Sequence, residues 1–157
     1  MSVEHVKGDV VKALNSGDID VLVHCVNCQG KMNSGIAKQI REEYPEVYTI
    51  FSLDYNDGLS ELGRVREVKV NADSCIINLY GQDRYGYDGK RYMHYGAIAM
   101  GFSTLMKMYK GKDVTIGLPY KFACDRAGGN WEIISELIEG TLGKVFNVKV
   151  YQLEEIR

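Results

Sequence analysis

The sequence has little of several features that would assign it to a specialised class. Its 157 residues include two prolines and one tryptophan, and no apolar run approaches the roughly 18 residues of a membrane-spanning helix. Neither sign of charge is in excess, since 19 Lys and Arg stand against 21 Asp and Glu, a formal net charge of −2. Strongly electrostatic nucleic-acid-binding proteins are usually basic, so nucleic acid is not an expected partner.

No targeting segment is visible at the N-terminus, because residues 1–5 contain neither a basic region nor an apolar core. We therefore expect a cytoplasmic protein without a membrane partner. The hydrophobic fraction of 45% and the charged fraction of 25% are ordinary for a globular protein. The length predicts a single domain over residues 1–157, and we expect a monomer.

The four cysteines do not form a recognisable metal-binding pattern. Cys25 and Cys28 are spaced as C-x-x-C, which can indicate zinc or redox chemistry, but Cys75 and Cys124 stand apart from each other. Cys25 also lies in a buried-strand pattern, where a cysteine is often a small apolar residue. We expect structural thiols, no metal and no cofactor.

The hydrophobic pattern alternates between strand and helix periods, which indicates an α/β domain. Strands are predicted at 3–6, 21–26, 64–70, 74–80, 114–118 and 145–153. Helices are predicted at 10–14, 36–44, 47–51, 92–109 and 131–142, with Asn130 as a plausible N-cap. The result is a sheet of about six strands with helices on both faces.

Two glycine-containing loops, residues 27–35 and 119–130, each follow a buried strand and lead into a helix. Ligands of open α/β sheets bind outside the strand ends, and helix N-termini there suit phosphate. Two such loops facing each other would grip a diphosphate. The alternative is a pair of tight turns, since glycine loops alone are weak evidence.

Beyond these patterns, the chain resembles the macrodomain family, which binds ADP-ribose, over nearly its full length. Three segments carry the resemblance: Val6-Lys7-Gly8-Asp9-Val10, His24-Cys25-Val26-Asn27-Cys28-Gln29-Gly30 running into Ser34-Gly35-Ile36-Ala37, and Leu118-Pro119-Tyr120-Lys121 running through Ala127-Gly128-Gly129-Asn130-Trp131. The resemblance implies a three-layer α/β/α macrodomain with a mixed sheet. It is greatest to the ADP-ribose-1″-phosphate phosphatase branch, in which a histidine precedes the loop asparagine by three residues, as His24 precedes Asn27. Asn78-Leu79-Tyr80-Gly81-Gln82 looks like segments of small bacterial and phage members.

The resemblance also implies roles for single residues. Asp9, beside Val10, matches the acid that accepts a hydrogen bond from the adenine amino group, although an N-cap is the plainer role. Asn27 matches the asparagine at the distal ribose. The remaining ligand-binding residues lie in the two diphosphate loops: Ser34, Gly35 and Ile36 in the first, and Ala123, Cys124, Arg126, Ala127 and Gly128 in the second.

His24 is the candidate for proton transfer, because the intrinsic pKa of histidine lies near neutrality. The implied reaction is metal-independent removal of the terminal phosphate from ADP-ribose-1″-phosphate, with Asn27 positioning the ribose. The alternative is a core histidine on a buried strand.

The chain departs from the family pattern in both loops. Asn33-Ser34 replaces consecutive glycines, and Asp125 and Arg126 stand where glycine and an apolar residue are usual. Asp125 could repel a diphosphate or act as a base, and Arg126 could pair with a phosphate.

Two alternative functions are a non-catalytic ADP-ribose-binding module and a hydrolase that removes ADP-ribose from a macromolecule. Against the second, Ala127 occupies the position of that branch's aspartate, and residues 80–82 offer no match for its lysine. Residues 82–92 mix basic and aromatic side chains as single-strand binders do, but we expect a solvated loop because the net charge is negative.

Overall fold

Six strands and six helices make up the part of the chain that the computed structural model describes, which is residues 1–33, 35–86, 88, 90–124 and 127–153. The strands are β1 (Ser2–Lys7), β2 (Val21–Asn27), β3 (Val65–Lys69), β4 (Cys75–Gln82), β5 (Thr115–Pro119) and β6 (Asn147–Gln152). The helices are α1 (Val10–Ser16), α2 (Gly35–Glu43), α3 (Pro45–Asn56), α4 (Tyr95–Met108), α5 (Trp131–Gly140) and α6 (Leu142–Val145). None of these helices combines the length and apolarity needed to cross a membrane.

The strands form one mixed sheet in the order β1-β6-β5-β2-β4-β3. All neighbouring pairs are parallel except β3 with β4, which is antiparallel. The carboxyl ends of β1, β2, β4, β5 and β6 therefore meet at one edge. After β2 the chain adds β3 and β4 on one side of β2, and it then adds β5 on the other side. The gap between β2 and β5 is therefore the point at which the strand order reverses, the topological switch point.

Alternate residues of the central strands pack against two separate helical layers. Val21 and Val23 belong to the apolar cluster that includes residues of α4 and α5, whereas Leu22 and Val26 belong to the cluster with α1, α2 and α3. This is the period-2 alternation of a strand that is covered on both faces. The predicted α/β architecture, with about six strands and helices on both faces, is confirmed.

Among the predicted boundaries that differ from the structure, two have a clear physical cause. The helix that is predicted from residue 92 begins at Tyr95, because Met93 forms an antiparallel bridge with Gln82 and extended His94 donates its N–H to Gly81 O at 2.8 Å. The N–H groups of Tyr92 and Met93 donate to Ala127 O at 2.8 and 3.0 Å, which ties this segment to the loop after β5 as well. The last strand begins at Asn147 and not at residue 145, because the chain first makes the short helix α6.

His24 lies in the core, on the face of β2 that points toward α1–α3. It is the register partner of Asn78 on β4, and its Nε2 lies 2.6 Å from Asn78 Oδ1. Since an amide oxygen only accepts, Nε2 carries the proton and Nδ1 is the unprotonated nitrogen. Nδ1 is buried and has no hydrogen-bond partner among the described residues. Burial lowers the pKa of His24 from 6.5 to about 4, an effect that the Asn78 hydrogen bond only partly opposes. His24 is therefore a neutral core residue in this structure.

This burial predicts a loss of stability in acid. Because the folded chain protonates His24 only near pH 4 while the unfolded chain does so near 6.5, protons favour the unfolded state between these values. At about 1.4 kcal/mol per pKa unit, the free energy of unfolding should lose up to about 3 kcal/mol from this residue as pH falls through the interval. Urea unfolding at several pH values measures the loss.

The variant His24→Gln removes the titrating ring and keeps an amide that can donate to Asn78, so its stability should depend less on pH. The exposed His5 provides the control, and His5→Gln should keep the wild-type dependence. Equal pH dependence in wild type and His24→Gln, or an NMR titration of the His24 ring near neutrality, would contradict the prediction.

Candidate functional site

A cavity of about 830 Å³ opens at the carboxyl edge of the sheet, beside the switch point between β2 and β5. Its volume lies within the range of small-molecule sites, roughly 300–1,000 Å³. Residues from the ends of all five parallel strands line it, namely Gly8, Asp9, Val10, Cys25, Val26, Asn27, Gln82, Pro119, Tyr120, Tyr151 and Gln152. The loops after β2, β4 and β5 and the first half of α2 also contribute lining residues.

Asp9, which lines the cavity, caps α1. Its Oδ1 accepts hydrogen bonds from the N–H groups of Val11 and Lys12 at 2.9 and 3.3 Å. From α2, Gln39 Nε2 donates to both carboxylate oxygens of Asp9, at 3.1 and 2.9 Å. The half-buried carboxylate is thus held by two elements, and Val10 lines the cavity next to it.

Asn27 organises the loop that follows β2. Its Oδ1 accepts from the N–H groups of Gln29 and Lys31 at 3.0 and 3.3 Å, and its Nδ2 donates to Lys31 O at 2.9 Å. The strand register shifts between Val26 and Asn27, which turns the loop away from the ladder. Met32 is fully buried and anchors the loop in the core. Asn27 therefore both lines the cavity and fixes the loop around it.

The N-terminus of α2 faces the cavity, because Gly35, Ile36 and Ala37 are lining residues. Gly35 has a φ of +59°, in the left-handed region that favours glycine. The N–H groups of a first helical turn and the positive end of the helix dipole favour an anion at such a position. Ser34, which was predicted to bind here, lies outside the described residues.

The loop after β5 turns through left-handed backbone at two residues that are not glycine. Lys121 and Ala123 have φ values of +60° and +61°. Alanine at 123 thus adopts a conformation that favours glycine, at a cost on the order of 1 kcal/mol. Phe122 between them is buried and anchors the turn. Ala123, Cys124 and Ala127 line the cavity.

Three further residues of this loop are predicted from the sequence to belong to the site. Asp125 and Arg126 lie outside the described residues. Gly128 does not line the cavity. Its φ is +81°, and a Cβ there would lie 2.7 Å from both Arg91 Cα and Lys90 O, so this glycine allows two backbone segments to pack closely.

The N-terminus of α5 does not face the cavity, although the sequence suggested that the helices after both loops would hold phosphate. Asn130 is the predicted N-cap, and its Oδ1 accepts from the N–H groups of Glu132 and Ile133 at 2.9 and 3.3 Å. No residue of α5 lines the cavity. The second loop therefore contributes its own residues rather than a helix terminus.

Three of the cysteines carry thiols whose pKa values are raised by burial. Cys25, Cys28 and Cys75 are free thiols. Burial raises the pKa of Cys25 to about 12, and those of Cys28 and Cys75 to about 11. Such thiols stay protonated at neutral pH, whereas zinc binding and nucleophilic attack need the thiolate. Among the described residues, no group of three or more His, Cys, Asp or Glu side chains could hold a metal ion.

The sequence analysis missed several lining residues: Lys31, Gln39, Tyr85, Tyr120, Lys121 and Tyr151. A helical signal for Gln39 was available, because it follows Gly35 by four residues and so lies on the same face of α2. Tyr151 has no local signal, since it reaches the cavity only because β6 pairs in parallel with β1. Asp9, Lys31 and Lys121 are the charged residues in the described lining.

No protein-family model matches the sequence. A segment of 74 residues is 34% identical to the DNA ADP-ribosyl glycohydrolases of Mycobacterium bovis and Mycobacterium tuberculosis, and it covers 45% of this chain. The match spans only 20% of the length of these curated relatives.

Solved structures resemble the whole chain. A protein of unknown function from Bacteroides thetaiotaomicron superposes with a TM-score of 0.86 and 23% identity, over 97% of this chain and 98% of that one. The macrodomain of Mycobacterium tuberculosis DarG superposes with a TM-score of 0.75 and 22% identity, over 95% of this chain and 96% of that one. Thermosipho africanus DarTG in complex with ADP-ribose superposes with a TM-score of 0.79 and 20% identity, over 100% of this chain and 43% of that one. At these identities the likeness is one of fold. The mixed six-stranded sheet, its helical layers and these superpositions together show that this chain has the macrodomain fold.

Proposed function

We propose that the cavity binds ADP-ribose, either free or as part of a larger molecule. The observation that carries the proposal is the arrangement along one cavity of a capped carboxylate, Asp9, and the N-terminus of α2. The solved structure of Thermosipho africanus DarTG with ADP-ribose supports the choice of ligand, because that protein contains the same fold.

The hydrogen-bonding groups around Asp9 in the cavity match those of adenine. Asp9 offers a carboxylate acceptor, and the N–H of Val10 is at the first position of α1, where no carbonyl within the helix can accept from it. An acceptor next to a donor complements the adenine edge, which presents an amino group next to an unprotonated ring nitrogen. A 6-oxo purine presents the reverse pattern and would oppose both groups.

Residues at and after the ends of β2 and β5 would bind the diphosphate and the distal ribose of the ligand. The N–H groups at the start of α2 and the side chains of Lys31 and Lys121 would hold the diphosphate. Asn27 Nδ2 uses one N–H for the loop and has a second that would donate to a hydroxyl of the distal ribose.

Of the two hydrolytic activities suggested by the sequence, we place release of ADP-ribose from a macromolecule first. Water would replace the macromolecule at the anomeric carbon of the ribose, and ADP-ribose would leave. The 34% identity with DNA ADP-ribosyl glycohydrolases favours this reaction. Phosphate release from ADP-ribose-1″-phosphate stands second, because the proton donor assigned to it, His24, is buried and does not line the cavity.

The binding proposal predicts that Asp9 determines affinity for ADP-ribose. Asp9→Ser keeps an oxygen that can cap α1 but removes the carboxylate that would accept from adenine. We expect ADP-ribose affinity to fall at least about tenfold, as for loss of a charged hydrogen-bond partner. Titration calorimetry measures the affinity, and thermal unfolding checks the fold.

The matched control is Asn130→Ser, which alters the cap of α5 outside the cavity. It should leave ADP-ribose affinity unchanged. Absence of ADP-ribose binding by the folded wild type at millimolar ligand would contradict the proposal.

The order of activities predicts which substrate the protein turns over. A DNA oligonucleotide that carries ADP-ribose should release free ADP-ribose, and ADP-ribose-1″-phosphate should release no phosphate above background. Chromatography of the products measures both reactions, and Asp9→Ser should slow the first through lost binding. Phosphate release that is abolished in a folded His24→Gln variant would reverse the order. Binding without either release would identify a binding module.

A further inference from the structure

The Asp9 carboxylate is shared between α1 and the side chain of Gln39. Its Oδ1 accepts from Val11 N, Lys12 N and Gln39 Nε2, whereas among the described residues its Oδ2 accepts from Gln39 Nε2 alone, at 2.9 Å. Each carboxylate oxygen has two lone pairs, so Oδ1 is saturated and Oδ2 has one acceptor direction left. Gln39 is half-buried and lines the same cavity.

The chemistry of the pair fixes the orientation of the Gln39 amide. An ionised carboxylate only accepts hydrogen bonds, so the amide must present Nε2 and not Oε1 to Asp9. The α1 cap holds Oδ1, and the Gln39 amide is the group among the described residues that holds Oδ2. Without the Gln39 amide, the Asp9 carboxylate could rotate about χ2 and still cap the helix through one oxygen. Rotation about χ2 of aspartate meets only a shallow energy profile.

We propose that Gln39 is a positioning residue that sets the base specificity of the cavity. This inference rests on the proposed binding of ADP-ribose. By holding Asp9 from α2, Gln39 leaves one acceptor direction on Oδ2 for one N–H of an exocyclic amino group. A purine with an oxygen at that position would bring an acceptor against this acceptor, and the bound carboxylate could not turn away.

A merely structural role for Gln39, as a link between α1 and α2, makes a different prediction. Loss of the link would weaken the fold and reduce binding of every ligand by a similar factor. Loss of positioning would reduce binding of the amino purine most, and so reduce the preference between two bases. The ratio of two affinities therefore separates the two roles.

The experiment measures the dissociation constants of ADP-ribose and of its inosine analogue, in which a carbonyl replaces the adenine amino group. Wild type should prefer ADP-ribose at least about tenfold. Gln39→Met keeps the length of the side chain but removes the amide, and it should reduce this preference to about twofold or less. Glu42→Met, on an exposed position of α2 outside the cavity, should keep the wild-type preference.

A second variant adds a pH signature. Gln39→Glu places a carboxylate against Asp9, and the two charges repel at about pH 8, so ADP-ribose affinity should fall about tenfold. At about pH 5 a proton shared between the carboxylates restores one hydrogen bond, and the affinity should recover severalfold. Wild type lacks this pair and should lack the recovery.

The outcomes separate the two proposals. If folded wild type binds neither ligand, the proposed function fails. If wild type prefers ADP-ribose and Gln39→Met keeps that preference, or if Gln39→Glu shows no recovery, the role of Gln39 is overturned while the binding site stands. Equal wild-type affinity for both ligands also overturns the role of Gln39.

Discussion

The parallel pairing of β2 with both β4 and β5 is the constraint on which the site depends. It brings the ends of strands that are distant in sequence to one edge of the sheet, on either side of a topological switch point. Each of these ends supplies a turn or loop, and the space between them is the cavity. Asn27 and Ala123 line one cavity for this reason, and the parallel pairing of β6 with β5 and β1 brings Asp9 to the same cavity.

The period-2 alternation of β2 divides its polar residues between different environments. His24 points toward α1–α3 and pairs with Asn78 in the core, whereas Cys25 and Asn27 reach the cavity. A change of one residue in strand register would exchange these environments. His24 is only three residues from Asn27 in sequence, but it is buried in the core and does not line the cavity. Its proximity to Asn27 in sequence therefore does not indicate a role in proton transfer.

Two buried side chains give the cavity loops a fixed conformation. Met32 anchors the loop after β2, and Phe122 anchors the left-handed turn after β5. Backbone strain at Lys121 and Ala123 is sustained by this packing and by the bond from Gly129 N to Ala123 O, at 2.9 Å. A preformed site of this kind loses less conformational entropy when a ligand binds.

Local signals in the sequence were sufficient for the α/β class, the approximate number of strands, the caps Asp9 and Asn130, and the two loops that line the cavity. These features depend on periodicity, capping chemistry and turn residues, which act over a few positions along the chain. The start of α4 was beyond such signals, because Ala127 holds Tyr92 and Met93 from 34 or more positions away. The partners of His24 and Asp9 were likewise decided by tertiary structure. Asn78 and Gln39 meet them only after strand pairing and helix packing, and the same side chains in another register would face solvent or a different layer.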